Sequence, residues 1–333
     1  MSDPHRLEST DYEAASLMAE HPPVLRHPHK RLVFDWCCEA GYKPSGIVKY
    51  SRWNPTQLPE ALVAEGCRVT THPGFFDYAP SAGIVWHVNF ADPHLFVAYG
   101  SGLLAQDEIQ VLEHPILGSL REALLAANRE PRTDGRTGPT PVLVQNAERV
   151  CAIDTSPSDF SPRGLYGNRF QAASPEAVRK ALSLFPVPTR TNLIAMAAPT
   201  GSGRYSRQEI ESILVTAHCG FRAAVMASAT RPVEIHTGFW GCGAFGGNRP
   251  LMVMLQLLAA RLADVDQLVF HLGSMGEQPA FDEGRETLRK IEQTEAAGGL
   301  TSTAQKNTHE TSVNGLIDGI VKCGFRWGQS DGN

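Results

Sequence analysis

The segment that decides the fold is Thr237-Gly238-Phe239-Trp240-Gly241-Cys242-Gly243-Ala244-Phe245-Gly246-Gly247, which follows a strand-like run and precedes an apolar, helix-like segment. Its glycines allow backbone conformations that other residues avoid, so that N–H groups can approach a ligand closely. Such a turn beside a helix N-terminus suits a phosphate or pyrophosphate group. Glycine content alone fits a tight structural turn equally well. The spacing matches neither the G-x-G-x-x-G fingerprint nor a P-loop, because no Gly-Lys-Ser/Thr is present.

Short apolar runs and helical segments alternate on both sides of this turn. The strand-like runs are Arg68–Thr71, Gly83–Phe90, Pro141–Gln145, Val150–Asp154, Thr191–Ala197, Val233–Thr237 and Gln267–Leu272. Helices are predicted at Gly102–Glu113, Pro175–Phe185, Arg207–Ala217 and Arg249–Ala263, and Ser206 with Glu209 forms a capping box for the third of these. The alternation predicts a layered α/β domain.

The ends of the chain have a different pattern. Residues 1–30 are polar and rich in His and Pro, which predicts a loose arm, and Pro59–Glu65 is a candidate helix. Glu130–Pro141 is predicted as a surface loop, and Gly298–Ser312 as a loop between two terminal helices. We therefore divide the chain into an N-terminal arm with a helical extension (1–65), a central domain (66–275) and C-terminal helices (276–333).

Composition limits the class of protein. The chain has 333 residues, of which 42% are apolar and 20% charged, and its net charge is −5. These values are typical of a globular protein and disfavour a disordered or coiled-coil chain. A mildly acidic chain is a poor candidate for direct nucleic-acid binding. Seven scattered cysteines without a CxxC pair favour a reducing compartment.

No membrane association is expected from the sequence. The longest apolar stretch, Leu251–Leu262, is interrupted by Gln256 and Arg261 and is shorter than a bilayer span. The first residues, Met1–His5, do not resemble a Sec signal peptide. We expect a cytoplasmic protein, and export as an effector stays open.

The glycine-rich segment and six further blocks resemble one family. Thr237–Gly247 is similar to T-G-N-W-G-C-G-A-F-G-G of the poly(ADP-ribose) glycohydrolases. Weaker similarities follow the family's order and are Gly74–Asp77 (G-T-I-E), Asn89–Asp92 (D-F-A-N), Gln106–Ile109 (Q-E-E-I), Val150–Asp154 (I-V-A-I-D), Ala217–Phe221 (A-Y-C-G-F) and Leu251–Ala260 (L-x-x-L-I-Q-x-L-A-A). The resemblance implies a macrodomain over residues 66–275: a three-layer α/β/α fold with a mixed central sheet and an N-terminal helical extension.

The chemistry of a glycosidic bond directs attention to Gln106-Asp107-Glu108. Its cleavage passes through an oxocarbenium-like transition state, and the leaving oxygen needs a proton from a carboxyl group of raised pKa. Two adjacent carboxyls raise one pKa by mutual repulsion. The resemblance implies that Glu108 is the general acid that then activates water, and that Asp107 holds the substrate ribose. Without the resemblance, both are more simply interpreted as solvated helix residues.

The resemblance also implies a set of substrate-binding residues for ADP-ribose or an ADP-ribosylated protein. Phe245 is expected to press against the distal ribose, and Asp77 to contact the adenine amino group. The full predicted set is Asp77, Asn89, Asp92, Gln106, Gly241, Cys242, Gly243, Ala244, Phe245 and Gly246. His218, which replaces a family tyrosine, is predicted to be structural, Trp240 to lie in the core and Asp154 to cap a strand.

Three departures from the family pattern leave the activity open. His94–Gly102 stands where the family has Gly-Gly-Gly, so only Gly100 and Gly102 remain to approach a diphosphate, and bulky Phe96, Val97 and Tyr99 are expected to narrow the site. The family's tyrosine-rich segment, which covers the adenosine, is missing. Phe239 stands where the family has asparagine, and Asn89 and Asp92 reverse the family's Asp and Asn. Asp92 and an open site favour removal of a single ADP-ribose from a protein side chain.

The main prediction is therefore an ADP-ribosyl hydrolase. The alternative is a catalytically inactive macrodomain that binds ADP-ribose or ADP-ribosylated protein, and a weaker alternative is an unrelated α/β nucleotide hydrolase or transferase. We expect no cofactor, because cleavage by a carboxyl group needs none. We also expect no metal, because neither His27 and His29 nor His72 and His87 have partners at ligand spacing.

Overall fold

The computed structural model describes residues 5–38, 42–62, 66–230, 232–273, 276–298, 311–330 and 332. In chain order the strands are β1 (Arg6–Glu13), β2 (Ile47–Trp53), β3 (Ala61–Leu62), β4 (Arg68–His72), β5 (Ile84–Ala91), β6 (Asp134–Gly135), β7 (Gly138–Pro139), β8 (Val142–Ile153), β9 (Leu182–Ala197), β10 (Val233–Thr237), β11 (Gln267–His271) and β12 (Thr311–Ser312).

The helices are α1 (Ala14–Glu20), α2 (Pro28–Cys37), α3 (Gln106–Glu113), α4 (Ile116–Ala126), α5 (Pro175–Ala181), α6 (Arg207–Ala227), α7 (Arg249–Leu262), α8 (Gln278–Gly298) and α9 (Val313–Cys323). A short 3-10 helix covers Gly167–Ala172.

The central sheet is mixed. Its order across the described residues is β1-β2-β8-β9-β5-β10-β11-β4. The first four strands pair antiparallel, whereas β9, β5, β10, β11 and β4 are successive parallel neighbours. Parallel strands need helical crossovers that cover both faces of the sheet, and those crossovers produce the layers described next.

Side-chain alternation assigns each face of the sheet to its own helical layer. Along β9, Ile194 and Met196 belong to one apolar cluster, which they share with residues of α6, α7, α8 and α9. Leu193 and Ala195 belong to a second cluster, on the other face, with residues of α1 and α4. A third apolar cluster joins α2 and α5 to the end of β8. The predicted three-layer α/β/α arrangement with a mixed sheet is confirmed.

Helix α7 forms the centre of the larger core. It begins with Pro250 in its first turn, Asn248 caps it by accepting a hydrogen bond from the Leu251 N–H (3.1 Å), and it is buried nearly all round, as predicted. Helix α6 has the predicted Ser206–Glu209 capping box. In the part of the chain described, α6 alone is long and apolar enough to cross a membrane by length and composition, and most of it is buried in the fold.

Several predicted elements differ from the structure. Residues 6–20 are not a loose arm, because β1 pairs with β2 at the edge of the sheet and α1 packs on α4. The prediction of a helix at Pro59–Glu65 is wrong for the residues that the structure describes, because residues 61–62 form β3. Residues 63–65 lie outside the described part. The division of the chain at 65 and 275 stays a prediction, although two strands of residues 1–65 belong to the main sheet.

Two errors come from pairing that is distant in sequence. The helix predicted to reach Phe185 ends at Ala181, because Leu182–Leu184 pair with the end of β8. The runs Pro141–Gln145 and Val150–Asp154 form one strand, β8, whose register shifts between Val144 and Ala147. The two predicted terminal helices are present as α8 and α9. Most of the loop predicted between them, Gly298–Ser312, lies outside the described residues.

Candidate active site

A cavity of about 1230 Å³ lies beside the sheet between α3 and the glycine-rich turn. Three of its walls follow parallel strands: Asp92 after β5, residues 238–245 after β10, and residues 272–273 after β11. Helix α3 forms the opposite wall, and residues 153–157 with Arg163, Tyr166 and Arg169 complete it. Ligand sites of open α/β sheets lie in such crevices at the ends of parallel strands.

The glycine-rich turn presents its backbone to this cavity. Hydrogen bonds from Cys242 N to Phe239 O (3.0 Å) and from Gly247 N to Gly241 O (2.8 Å) hold it in shape. Gly241 has a φ of +74°, and a β-carbon there would lie 2.5 Å from the Ala198 β-carbon. Among the described residues, no acceptor is found for the N–H groups of Gly241, Gly243, Ala244 and Phe245. Free N–H groups in a concave turn form a site for an anion such as a phosphate.

The acid pair begins α3 on the other side of the cavity. The side chain of Gln106 fixes this helix end to β5, since it accepts from Phe90 N (2.7 Å) and donates to Val88 O (3.1 Å). The following residues, Asp107 and Glu108, line the cavity but are only 6% and 4% exposed. One carboxylate oxygen of Glu108 accepts a hydrogen bond from Ala105 N (3.0 Å), which closes the first turn of the helix.

A buried polar network orients Asp107. Asn89, which is fully buried on β5, donates through Nδ2 to Asp107 Oδ1 (2.9 Å) and to Gln110 Oε1 (2.9 Å). Gln110 in turn donates to the Tyr78 hydroxyl (3.1 Å), and the Arg149 guanidinium lies 4.1 Å from the Tyr78 ring. Because buried side chains with paired polar groups are held in one geometry, the Asp107 carboxyl has a fixed orientation toward the cavity.

Burial raises the pKa of both carboxyls of the pair. For Asp107, desolvation is the largest cause, and the charge of Glu108 raises its pKa further. For Glu108, desolvation also dominates, while the nearby Lys30 ammonium lowers its pKa. Asp92, which lines the same cavity, raises the pKa of both. Since two close carboxyls titrate as a unit, the pair retains a proton at a pH where isolated carboxyls are ionised.

The cavity brings together most, but not all, of the predicted site residues. Lining it are Asp92, Gln106, Asp107, Glu108, Gly241, Cys242, Gly243, Ala244 and Phe245. Asn89 lies behind the wall and contacts Asp107 instead of the cavity. Asp77 also lies outside the lining, where it is 3.3 Å from His72 Nε2 and accepts from Ala79 N.

Gly246 is the third predicted residue outside the cavity lining, because the C-terminal tail packs on it. Gly328 N donates to Gly246 O (2.8 Å), and Trp327 stacks on Tyr205 with ring centroids 4.1 Å apart. Farther along the tail, Gly332 O accepts from Asn168 Nδ2 (2.8 Å). The tail therefore connects the glycine-rich turn to the segment that carries Tyr166 and Arg169.

The segment His94–Gly102 was expected to narrow the cavity with three bulky side chains, and only one of them lines it. Phe96 and Tyr99 are buried in the core and do not narrow the cavity, whereas Val97 lines it as expected. A β-carbon at Gly100 would meet Val24 O at 2.3 Å, and one at Gly102 would meet Gln171. These two glycines therefore allow close packing, and they do not line the cavity.

The structure agrees with three further assignments, those of His218, Trp240 and Asp154. His218 is buried and within 3.3 Å of Thr56 Oγ1, and the Trp240 ring is fully buried with Nε1 donating to Met196 O (3.0 Å). Asp154 accepts from Ser156 N (2.9 Å) just after β8, as a cap does. The rings of His87 and His271 both contact that of His236, and His271 lines the cavity. In the described residues no group of three or more His, Cys, Asp or Glu is placed to hold a metal ion, and the expectation of no metal stays a prediction.

Several cavity residues were not predicted. Arg249 lines the cavity at the first turn of α7 and is 3.0 Å from Glu277. Its position directly after the glycine-rich turn was a usable signal, because a cation there complements bound phosphate. Phe75 is 55% exposed and stacks on Tyr166 with ring centres 6.1 Å apart. Phe75 lies in the block Gly74–Asp77, whereas Tyr166 has no comparable signal, since the segment that carries it shows no periodic pattern.

Parts of the chain are similar to known proteins. Residues 142–278 match the family model described as poly(ADP-ribose) glycohydrolase (PARG), macro domain fold. Poly(ADP-ribose) glycohydrolase 1 of Caenorhabditis elegans is 33% identical over 76 residues, which are 23% of this chain and 9% of that protein. The chain thus matches less than a tenth of the length of this curated relative.

Solved structures of two bacterial proteins are also similar. The poly(ADP-ribose) glycohydrolase of Thermomonospora curvata has a TM-score of 0.46 and 15% identity, and the match covers 83% of this chain and 85% of that one. The Deinococcus radiodurans enzyme in complex with ADP-ribose has a TM-score of 0.40 and 12% identity, with 87% and 99% covered.

The mixed sheet and the helices that flank it agree with the predicted macrodomain fold. The match over residues 142–278 covers less than half of the chain, and in this part the chain is similar to the macro domain of the poly(ADP-ribose) glycohydrolases, as predicted. The matched region contains the glycine-rich turn and Arg249, whereas Gln106-Asp107-Glu108 precedes it.

Proposed function

We propose that the protein is an ADP-ribosyl hydrolase that cleaves the glycosidic bond of ADP-ribose attached to a protein or to another ADP-ribose. The observation that carries the proposal is one cavity lined both by the buried acid pair, whose pKa values burial raises, and by a turn in which four N–H groups have no acceptor among the described residues. The turn and the Arg249 guanidinium suit a diphosphate, and the acid pair suits an anomeric carbon.

In this proposal Glu108 acts first as an acid and then as a base. Its protonated carboxyl gives a proton to the leaving oxygen, the bond from that oxygen to the anomeric carbon breaks, and the bonding electrons stay with the oxygen. The resulting carboxylate then takes a proton from water, which adds to the oxocarbenium carbon. Asp107, oriented by Asn89, accepts hydrogen bonds from ribose hydroxyls.

The test measures release of ADP-ribose from a mono-ADP-ribosylated protein and from poly(ADP-ribose). Glu108→Gln keeps the shape and removes the proton donor, so we expect at least a 100-fold loss of release, of the order that general acid–base catalysis contributes, with ADP-ribose binding retained in calorimetry. Glu286→Gln, at a partly exposed position on α8 that does not line the cavity, is the matched control and is expected to keep full activity. Undiminished release by Glu108→Gln contradicts the assignment.

The substrate form is part of the same proposal. Asp92 lines the cavity with a side chain that is 39% exposed, and one of its oxygens accepts from His94 N (2.8 Å). The other oxygen is available to a substrate hydroxyl, which favours removal of a single ADP-ribose from a side chain. Asp92→Ala is expected to lower release from mono-ADP-ribosylated protein, and unchanged release would refute this preference.

A second candidate is a macrodomain that binds ADP-ribose without cleaving it. Two observations favour it: neither Gly100 nor Gly102 faces the cavity, and one Glu108 oxygen already accepts from Ala105 N. Wild-type protein that binds ADP-ribose in calorimetry but releases none from any substrate would establish this function.

A further inference from the structure

Lys30 is the most unusual charged residue outside the site described above. It lies on α2, has no exposed surface, and its ammonium group has no hydrogen-bond acceptor among the described residues. Its nearest aromatic partner is Phe170, whose ring centre is 5.6 Å from Nζ. An isolated ammonium in such surroundings costs several kcal/mol unless an opposite charge compensates it.

The charges that act on Lys30 are those of the acid pair. Burial lowers the pKa of Lys30 to about 8, and the negative charges of Glu108 and Asp107 oppose that decrease. The influence is mutual, because the Lys30 cation lowers the pKa of both carboxyls. Helices α2 and α3 contact each other, which places these three groups in one buried region.

The other titratable and charged groups near Lys30 do not supply this compensation. On α2 and its cap, His27 and Arg31 supply no negative charge, and His29 uses Nε2 on Ala173 O (2.8 Å). Asp35, the carboxylate of α2, is exposed and is not among the charges that act on Lys30. Beyond α3, Asp92 adds negative charge from a partly exposed position. At the far end of α3, Glu113 and Arg149 neutralise each other at 2.8 Å. Lys30 therefore faces the acid pair as its compensating charge.

We propose that Lys30 is a positioning residue for the acid pair, whose buried ammonium charge lets one carboxyl be ionised while the other keeps its proton. With Lys30 protonated and one carboxyl ionised, the three groups have no net charge, which is the state that burial favours. It is also the state that an acid followed by a base requires. The inference rests on the proposed function for its catalytic meaning, but the electrostatic coupling is measurable without turnover.

The first experiment titrates the carboxyl carbons of the free full-length protein by carbon-13 NMR, assigned with Asp107→Asn and Glu108→Gln. Lys30→Met removes the charge and keeps most of the volume. We expect the titration of the pair to move to higher pH by about 1–2 units, the order expected for the loss of one nearby buried charge at an effective dielectric constant of about 20. Lys30→Arg is expected to keep the wild-type titration. An unmoved titration in folded Lys30→Met overturns the proposal.

A second variant keeps Lys30 and so keeps the test valid if Lys30→Met does not fold. In Glu108→Gln the pair can carry at most one negative charge, whereas the wild-type pair reaches two at high pH. The Lys30 pKa, followed by nitrogen-15 NMR of Nζ, is therefore expected to fall by about 1 unit. No change in the Lys30 pKa overturns the proposal.

The pH profile of ADP-ribose release separates this proposal from the proposed function. If the protein is a hydrolase, the whole bell-shaped profile of Lys30→Met moves to higher pH, since both limbs report the pair. A profile at the wild-type pH with lower rates throughout would show a merely structural role. If wild-type protein releases nothing while the NMR titrations move as expected, the proposed function fails and the role of Lys30 in coupling to the pair stands.

Discussion

Replacing Gly241 with alanine is expected to destabilise the fold and to weaken the binding of ADP-ribose. Two physical costs add. A φ of +74° costs an alanine about 1–2 kcal/mol. The new β-carbon would lie 2.5 Å from that of Ala198, far inside the contact distance of carbon atoms, and relief of such overpacking costs about 1–3 kcal/mol. The free energy of unfolding is therefore expected to fall by about 2–5 kcal/mol.

Gly203 offers a matched control for this substitution. Its φ is +75°, but a β-carbon there would have no neighbour within 4 Å. Gly203→Ala is therefore expected to show only the backbone cost of about 1–2 kcal/mol. The double variant Gly241→Ala with Ala198→Gly removes the clash and keeps the backbone cost, so a double-mutant cycle isolates the contact between the two β-carbons.

The measurements are denaturant unfolding for stability and calorimetry for ADP-ribose binding. Because relief of the clash displaces N–H groups of the turn, we expect Gly241→Ala to bind ADP-ribose at least about 10-fold more weakly, which is about 1.4 kcal/mol. Gly203→Ala is expected to bind normally. Equal destabilisation by Gly241→Ala and Gly203→Ala, with no coupling to Ala198, would refute the reasoning.

Two further predictions concern other parts of the molecule. Arg249→Met is expected to weaken ADP-ribose binding by about 10–100-fold, the value of a charge-assisted hydrogen bond. Arg222→Met, which removes a surface ion pair with Asp264, is the control and is expected to leave the affinity measured by calorimetry unchanged. Equal effects of the two substitutions would exclude a contact between Arg249 and phosphate. Burial lowers the pKa of His218 from an ordinary 6.5 to about 4, so its contribution to stability is present above pH 6.5 and is lost as the pH falls toward 4. Between pH 7.5 and 5, wild-type protein is therefore expected to lose about 2 kcal/mol more unfolding free energy than His218→Gln, and parallel denaturation results would contradict this.

The sequence predicted the elements whose signals are local. Helices α6 and α7 have caps and long apolar periodicity, and the central parallel strands are short runs of branched residues between turns. Elements that depend on distant partners were missed. The polar strand β1 exists because it pairs with β2, and the first residues of β9 are extended because they pair with the end of β8.

The candidate site shows the same division. The glycine-rich turn and the acid pair were recognisable because each is a contiguous motif, and the structure places them on one cavity. Asn89 looked like a substrate contact because sequence similarity does not state which face of a strand a side chain occupies. Lys30 carries no sequence signal at all, since a lysine in the first turn of a helix is normally solvated and only the packing of α2 buries it.

The packing of residues 327–330 and 332 has a practical consequence for anyone who produces this protein. An affinity tag or a fluorescent protein inserted close to this segment would strain its hydrogen bonds with Gly246 and Asn168. A fusion at the amino end attaches next to β1, at the edge of the sheet and five positions away from β10 in the strand order. Immobilisation for binding assays is therefore better made through the amino end.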